Sequence, residues 1–323
     1  MKKTGNMRPG RPSGKPSGKQ GGRLDGQARQ GHGRADGQRS HRPEGRGDNR
    51  NEGRYEGRHE SRNEARGDRR QDGRGAAPSA KGLSPKSKDG FFLFGRHAVE
   101  AALKNRAREC VRIIALEKAL SDELLSLRPG VKVERVEDEA VLRASVPSDS
   151  PHQGILMEVR PLPGHDISEL EPVEGEKNII LMLDQVTDPH NVGACLRSAA
   201  ALGARALITQ DRNSPGESGT LARASSGGLE VMPWLRVANL SQTLDALRDL
   251  GYWHVGLDGH TDTALADIKL GDNLVIVMGS EGKGLRPLVR KHCDAIAKIP
   301  MSGRVESLNV SNAAAIALYE LMK

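Results

Sequence analysis

Aromatic side chains are nearly missing from this 323-residue chain, which holds three Phe, three Tyr and two Trp. So few rings leave base stacking only a small part in any nucleic-acid recognition. Trp234 and Trp253 lie in apolar, strand-like runs and are expected in the core. Cysteine is as scarce. Cys110, Cys195 and Cys293 are scattered and odd in number, without paired ligand spacing. That excludes a disulfide framework and a zinc site, so no metal is expected, and it points to the reducing cytoplasm. No stretch approaches the roughly twenty apolar residues of a membrane helix. Met1 to Gln20 lacks the apolar core of a signal peptide, and the frequent Asp and Glu farther on argue against a transit peptide, so no membrane partner is expected either.

The first ninety residues lack Ile, Val, Phe and Trp altogether. They hold 23 Lys plus Arg against 11 Asp plus Glu, a net of +12, and 19 of the 38 Gly. Residues 91–323 hold 26 against 31, a net of −5, so the formal charge of +7 belongs to the first segment. A Gly-Arg and acid pattern recurs there, in Glu44-Gly45-Arg46-Gly47-Asp48, Glu52-Gly53-Arg54 and Glu56-Gly57-Arg58. Such a segment cannot bury enough apolar surface to offset chain entropy, and 1–90 is expected to be a disordered tail. Its charge suits nonspecific RNA contact through counterion release, while its interspersed acids also suit a solubilising role.

The remaining 233 residues are long enough for one large or two modest domains with real cores, and two are expected. Over 91–160 the pattern alternates: helix His97 to Leu103, strand Val111 to Leu116, helix Lys118 to Leu127, strand Val131 to Val136, a short helix near Glu137 to Arg143, strand Ile155 to Val159. This predicts a small α/β unit. Pro161, Pro163, Gly164, Pro172 and Gly175 punctuate a linker over 161–176. Over 177–323, apolar runs at Ile179 to Leu183, Ala206 to Ile208, Trp253 to Leu257 and Leu274 to Met278 are separated by helical patterns at Val192 to Leu202 and Leu240 to Leu250. Continuous apolar strands alternating with helices predict a parallel sheet covered on both faces, with ligands beyond the carboxyl ends of its strands.

Three polar clusters fall at predicted strand ends. The first runs from Asp184 to Arg197. If Asn191 opens the helix, Gly193 and Arg197 share a face, and Arg197 either binds an anion or points to solvent. The second is Gly279-Ser280-Glu281-Gly282-Lys283-Gly284. It fits neither a dinucleotide loop nor a P-loop, since no Gly-x-Gly-x-x-Gly occurs and Lys283 is followed by Gly. What remains is a close backbone approach to ligand or to other backbone, or a plain tight turn. The third, Ile299-Pro300-Met301-Ser302-Gly303-Arg304-Val305-Glu306-Ser307-Leu308-Asn309-Val310-Ser311-Asn312, precedes an apolar helix Ala313 to Leu321. It reads either as a pocket wall or as a helix cap.

In order and spacing, Asn191-x-Gly193-x-x-x-Arg197, Met278-Gly279-Ser280-Glu281-Gly282-x-Gly284-Leu285 and Ile299-Pro300-Met301 with Ser307-Leu308-Asn309-Val310-Ser311 resemble the three motifs of the SpoU (TrmH-like) family of RNA ribose 2′-O-methyltransferases, in the SPOUT superfamily. The preceding unit, opening Phe94-Gly95-Arg96-His97-Ala98-Val99, is similar to the substrate-binding domain of the 23S rRNA guanosine-2′-O-methyltransferase branch. The Arg/Gly-rich tail departs from the family's compact pattern. The resemblance implies an α/β catalytic domain whose C-terminal chain threads a deep trefoil knot, and a homodimer joined through that domain and its last helix. It also implies S-adenosylmethionine as cofactor, with Gly279, Ile299 and Leu308 lining its pocket and Pro300 and Met301 beside the adenine.

Arg197 matches the family's essential arginine, proposed there as the base. A guanidinium is seldom neutral, so a phosphate-binding, alkoxide-stabilising role is expected instead. Asn191, Glu281, Ser307 and Asn309 are expected to position Arg197 and the nucleotide. Arg96, His97 and Arg112 are candidate RNA contacts. The expected activity is 2′-O-methylation of a guanosine ribose in 23S rRNA. The alternatives are a tRNA ribose 2′-O-methyltransferase with the same site, and a noncatalytic RNA-binding ribosome-assembly factor.

Overall fold

The computed structural model describes residues 81–148, 150–269 and 271–323. Most of the expected tail, 1–80, lies outside the described residues. Its last ten positions, counted with the tail, are instead held against the first folded unit. The Leu83 N–H donates to Ser145 Oγ at 2.7 Å, and the Ser87 N–H donates to Glu158 at 2.9 Å. Leu83 packs onto buried Phe92, Phe94 and Leu142, so this one apolar side chain anchors a segment of tail-like composition.

The first unit comprises β1 (Phe91–Phe94), α1 (Arg96–Lys104), β2 (Cys110–Ala115), α2 (Asp122–Ser126), β3 (Lys132–Arg135), α3 (Glu139–Arg143) and β4 (Ile155–Val159). Its sheet runs β1-β4-β2-β3, with β2 and β3 parallel and the other pairings antiparallel. The single helix expected over Lys118 to Leu127 is two pieces: a 3₁₀ turn at Glu117–Ala119, then α2. Ser121 separates them because its side chain accepts from the Leu124 N–H as an N-cap, with Asp122 and Glu123 in the first turn. The linker is irregular apart from a turn at Ile167–Leu170, closed by reciprocal bonds between Asp166 and Glu169.

The second unit comprises β5 (Asn178–Asp184), α4 (Pro189–Leu202), β6 (Ala206–Gln210), α5 (Gly219–Ser225), β7 (Trp234–Val237), α6 (Leu240–Asp249), β8 (Trp253–Leu257), β9 (Asn273–Gly279), α7 (Pro287–Lys291), β10 (Ala295–Ala297) and α8 (Val310–Met322). The sheet is parallel throughout, in the order β10-β8-β9-β5-β6-β7. Every residue of β5 is buried, as a central strand covered on both faces requires. The α/β fold with a parallel sheet is thus as expected. Strand order reverses between β5 and β9, so their carboxyl ends, Asp184 and Gly279, lie side by side in register. Such a reversal opens a crevice for ligands.

Trp234 is buried, but Trp253 is 49% exposed, against expectation. Pairing of β8 with β10 begins only at Val255, so Trp253 projects past the last strand that could cover it. The sequence reading did not recognise α5, α7 or β10 as elements. Gly219, Thr220 and Ser225 are poor helix formers, and α5 relies on packing between neighbours for its stability.

Candidate active site

All three polar clusters stand at the carboxyl end of the parallel sheet. The helix carrying the first opens earlier than the sequence suggested. Asp188 is its N-cap, accepting from the His190 N–H at 2.9 Å, and Pro189 takes the first helical position, which leaves Asn191 inside the first turn. Gly193 permits a very close crossing: a Cβ there would lie 2.5 Å from Leu221 O and 2.7 Å from Ala224 Cβ. Gly228 also lies against α4, its would-be Cβ 3.1 Å from Arg197 Cα. Arg197 is therefore mounted on a helix held by two close backbone contacts, with its side chain exposed.

The second cluster turns back on itself. Gly284 N donates to Ser280 O at 2.9 Å, and a Cβ on Gly279 would fall 2.0 Å from the Gly284 carbonyl carbon. Only glycine fits a backbone crossing this close. Asp184, fully buried, holds the far end of the loop by accepting from Arg286 N at 3.0 Å and Arg286 Nε at 2.7 Å. Asp184 and Arg286 were not singled out from sequence. Their positions at a strand end and a helix start were the available signal.

The third cluster reaches α8 through Asn309, which is a cap and also a bridge. Its Oδ1 accepts from the Ser311 N–H at 2.9 Å and the Ser311 hydroxyl at 2.6 Å. Its Nδ2 stands 2.9 Å from Asn191 Oδ1 and 2.9 Å from Glu281 Oε1, and Val310 N donates to the same Glu281 oxygen at 3.2 Å. One residue from each of the three clusters thus meets at a single amide.

Beside this junction lies a cavity of about 630 Å³. Gly279, Ile299, Leu308 and Met301 line it, as do Glu281 and Ser307; Pro300 is exposed and not part of the lining. Leu257 and Met278 add apolar wall, and Asp258, His260, Lys298 and Glu306 add polar groups that were not anticipated. Asp258 follows the expected strand Trp253 to Leu257, so a strand-end rule would have found it. The His260 N–H donates to it, holding its carboxyl below the usual carboxylate range, and Arg290 pairs with it from behind. Size and mixed lining suit a polar small molecule with one apolar face.

Arg197 faces a different space. Among the described residues it makes no hydrogen bond to Asn191, Glu281, Ser307 or Asn309. It lines a cleft of about 650 Å³ that it shares with His97 from α1 and with His190 and Arg223. Of the other candidate RNA contacts, Arg96 is half-exposed but engaged, its Nε 2.6 Å from Glu100. Arg112 is overturned as a candidate: it is 2% exposed, with Nε 2.7 Å from Glu158 and Nη1 2.7 Å from Glu134. It lies on the central strand β2 with Glu158 as its cross-strand partner on β4, so its charge is satisfied inside the sheet. Among the described residues no group of three His, Cys, Asp or Glu is arranged to hold a metal, and no helix is long and apolar enough to cross a membrane.

The family model described as the SpoU rRNA Methylase family matches residues 178–319, and the one described as RNA 2′-O ribose methyltransferase substrate binding matches residues 92–164. A protein of Xylella fastidiosa named 23S rRNA (guanosine-2′-O-)-methyltransferase RlmB is 37% identical over 245 residues, covering 73% of this chain and 98% of the relative. One of the same name from Photobacterium profundum is 40% identical over 239 residues, covering 72% and 97%. Among solved structures, the SpoU methyltransferase AviRb of Streptomyces viridochromogenes in complex with AdoMet matches with a TM-score of 0.63 and 26% identity over 72% of this chain and 89% of that one. An AdoMet-bound rRNA methyltransferase of Sinorhizobium meliloti matches with a TM-score of 0.61 and 25% identity, over 72% and 87%.

Proposed function

The chain belongs to the SpoU rRNA methylase family, and we propose that it is an S-adenosylmethionine-dependent 23S rRNA guanosine-2′-O-methyltransferase. The observation that carries this reading is the junction at Asn309, where side chains from all three family motifs meet beside a cavity of cofactor size. S-adenosylmethionine supplies a methyl group already activated on a sulfonium, so the protein's task is alignment and charge. The lining fits it: Leu257, Ile299 and Leu308 offer apolar contact for the base, and Asp258 and Glu281 offer carboxylates toward a positively charged ligand. Gly279 and Met301 also line that space and would contact the cofactor, while Pro300 is exposed and outside the lining.

Arg197 binds the phosphate beside the target ribose and stabilises the alkoxide as the 2′-hydroxyl loses its proton, which passes to phosphate or water. Asn191, Glu281 and Asn309 hold the motif loops in one arrangement, and Ser307 faces the nucleotide from the cavity wall. The unit over 91–160, joined by 161–176 to the catalytic unit over 177–323, contributes to RNA binding through His97, with Arg96 at its margin.

The C-terminal chain threads a trefoil knot. The crossing at Gly279 and Gly284 supports this, as do the bonds from Leu265 N to Lys298 O and from Asp258 N to Ala297 O, and the packing of α8 against β5 and β9. Closing the ends of the folded catalytic unit by a disulfide and then denaturing it would leave a more compact ring than an unknotted control of equal length. The protein is a homodimer through α8, whose Ile316 and Tyr319 are 44% and 59% exposed. Sedimentation of Tyr319→Glu as a monomer would support that face, and a dimer would oppose it. It works in the cytoplasm, in keeping with three free cysteines; its absence from a soluble fraction would count against this.

The deciding experiment incubates undermethylated 23S rRNA and tRNA with labelled cofactor and maps the modified ribose. Label on a guanosine ribose of 23S rRNA is expected. Label on tRNA alone would move the protein to the tRNA branch, and cofactor binding without transfer would make it a noncatalytic assembly factor.

A further inference from the structure

The described part of the chain uses its arginines mostly as internal partners. Ten of them stand within 4.0 Å of a carboxylate. Arg197 and Arg223 stand in no ion pair among the described residues, yet both line the same cleft of about 650 Å³. His97 and His190 complete its basic lining, and none of its described lining residues is acidic. On the other side of Arg197, a second cavity of about 680 Å³ is lined by Glu100, Glu230 and Lys104 and is mixed in charge. Residues 91–323 hold 31 Asp plus Glu against 26 Lys plus Arg, and the described lining of this cleft runs against that balance.

The backbone fixes the two helices that carry these arginines. Gly193 of α4 sits against Leu221 O of α5, so the two helices cross almost in backbone contact. Arg197 is one turn beyond Gly193, and Arg223 is two residues beyond Leu221. Arg223 is the one charged residue of α5, whose Leu221 and Ala222 are buried. Neither helix can withdraw without breaking that crossing. Two like charges held in one cleft without a counterion repel, and the arrangement becomes favourable when an anion bridges them. Thr220 and Ser226 line the same cleft and offer hydroxyl donors, the mix of donors with which proteins hold phosphodiester oxygens.

We propose that Arg223 and His190 form, with Arg197, a subsite for an RNA backbone phosphate adjacent to the nucleotide being methylated. This rests on the reading of the protein as an RNA methyltransferase and deepens it, since it sets the path of the RNA strand. The strand leaves Arg197 toward α5 and toward Pro151 and Gln153, and away from the mixed-charge side at Glu230.

The test compares the wild type with Arg223→Ala, Arg223→Lys and His190→Gln, using a fragment of 23S rRNA at several salt concentrations. Cofactor binding is measured in parallel as a check that each variant is folded. For Arg223→Ala the slope of log affinity against log salt is expected to become shallower by about 0.7–0.9, the share of one phosphate contact. The KM for RNA is expected to rise about tenfold, more than kcat falls, while Arg223→Lys keeps the wild-type slope. A wild-type slope and KM in both Arg223→Ala and His190→Gln, with cofactor binding intact, would overturn the subsite. A wild type that binds the RNA but transfers no methyl would instead remove the enzymatic reading and leave the slope comparison valid.

Discussion

Asn309 and Glu281 meet at 2.9 Å, amide nitrogen to carboxylate oxygen, although 28 positions separate them in the chain. The same nitrogen lies 2.9 Å from Asn191 Oδ1, 118 positions away, so one side chain ties the start of α8 to two other loops. Its own Oδ1 meanwhile caps α8 by accepting from Ser311. The two roles separate by mutation. Asn309→Ser keeps a cap and removes the bridge, and methyl transfer is expected to fall about a hundredfold, as misplacement of aligned groups by ~1 Å does. Asn309→Ala is expected to lose, in addition, about 1 kcal/mol of stability with the cap. Steady-state rates and denaturant melts of both variants check this. Full activity in Asn309→Ser would show that the bridge is irrelevant.

Gly193→Ala places a methyl carbon 2.5 Å from Leu221 O, a backbone atom that cannot swing aside. The expected cost is about 1–3 kcal/mol from overpacking, or roughly 2–4 °C in Tm for each kcal/mol. Because α4 carries Arg197, activity should fall at temperatures where the variant is still fully folded. Calorimetry and single-turnover rates on one sample check the pair, and an unchanged Tm would mean that α4 and α5 cross less tightly than the geometry requires.

Arg108 joins the two units from a fully buried position, with Nη1 2.6 Å from Glu217 and Nη2 2.8 Å from Glu230. Asn105 adds a bond of 2.9 Å to Glu230, and Gly219 passes so close to Phe92 O that its Cβ would stand 2.2 Å away. Arg108→Met keeps bulk but strands two carboxylates, and a loss of about 3–5 kcal/mol is expected. Urea titration measures it. A loss under ~1 kcal/mol would show that water reaches the carboxylates and satisfies them once the guanidinium is gone.

His254 is fully buried and sits 3.0 Å, through Nδ1, from the His292 carbonyl oxygen. Burial holds its pKa below the ordinary histidine value. The unfolded chain therefore takes up this proton at a higher pH than the folded chain, so the contribution of His254 to stability is complete above about pH 6.5 and is lost as pH falls through the folded value. His254→Gln keeps a donor for the carbonyl and removes the titration. The Tm difference between wild type and variant, followed from pH 8 to pH 5, should shift against the wild type below about 6.5. A pH-independent difference would mean that His254 charges without penalty in the fold.

Local pattern carried far in this chain. Ile155–Val159 and Trp253–Leu257 match the expected strands residue for residue, because short apolar runs bounded by breakers have one simple solution. The position of α4 was off by a few residues, since Asp188 and Pro189 outcompete Asn191 as a helix start. Motif order also marked which loops matter, since one residue of each reaches the Asn309 junction and the second and third line the cavity beside it.

The sequence by itself determined the parallel α/β unit, the small unit before it and the family, because periodicity and motif spacing are local properties that survive without neighbours. Only the tertiary structure decided which charges are available. Arg112 and Arg197 look alike in sequence, but one is enclosed by Glu134 and Glu158 on flanking strands, and the other projects from a helix into a cleft where it pairs with no carboxylate among the described residues. Strand order brought Asp184 beside Gly279, and close helix crossing brought Arg223 to the cleft of Arg197. Burial and pairing are sums over neighbours distant in sequence, so their outcome appears only once the chain has packed.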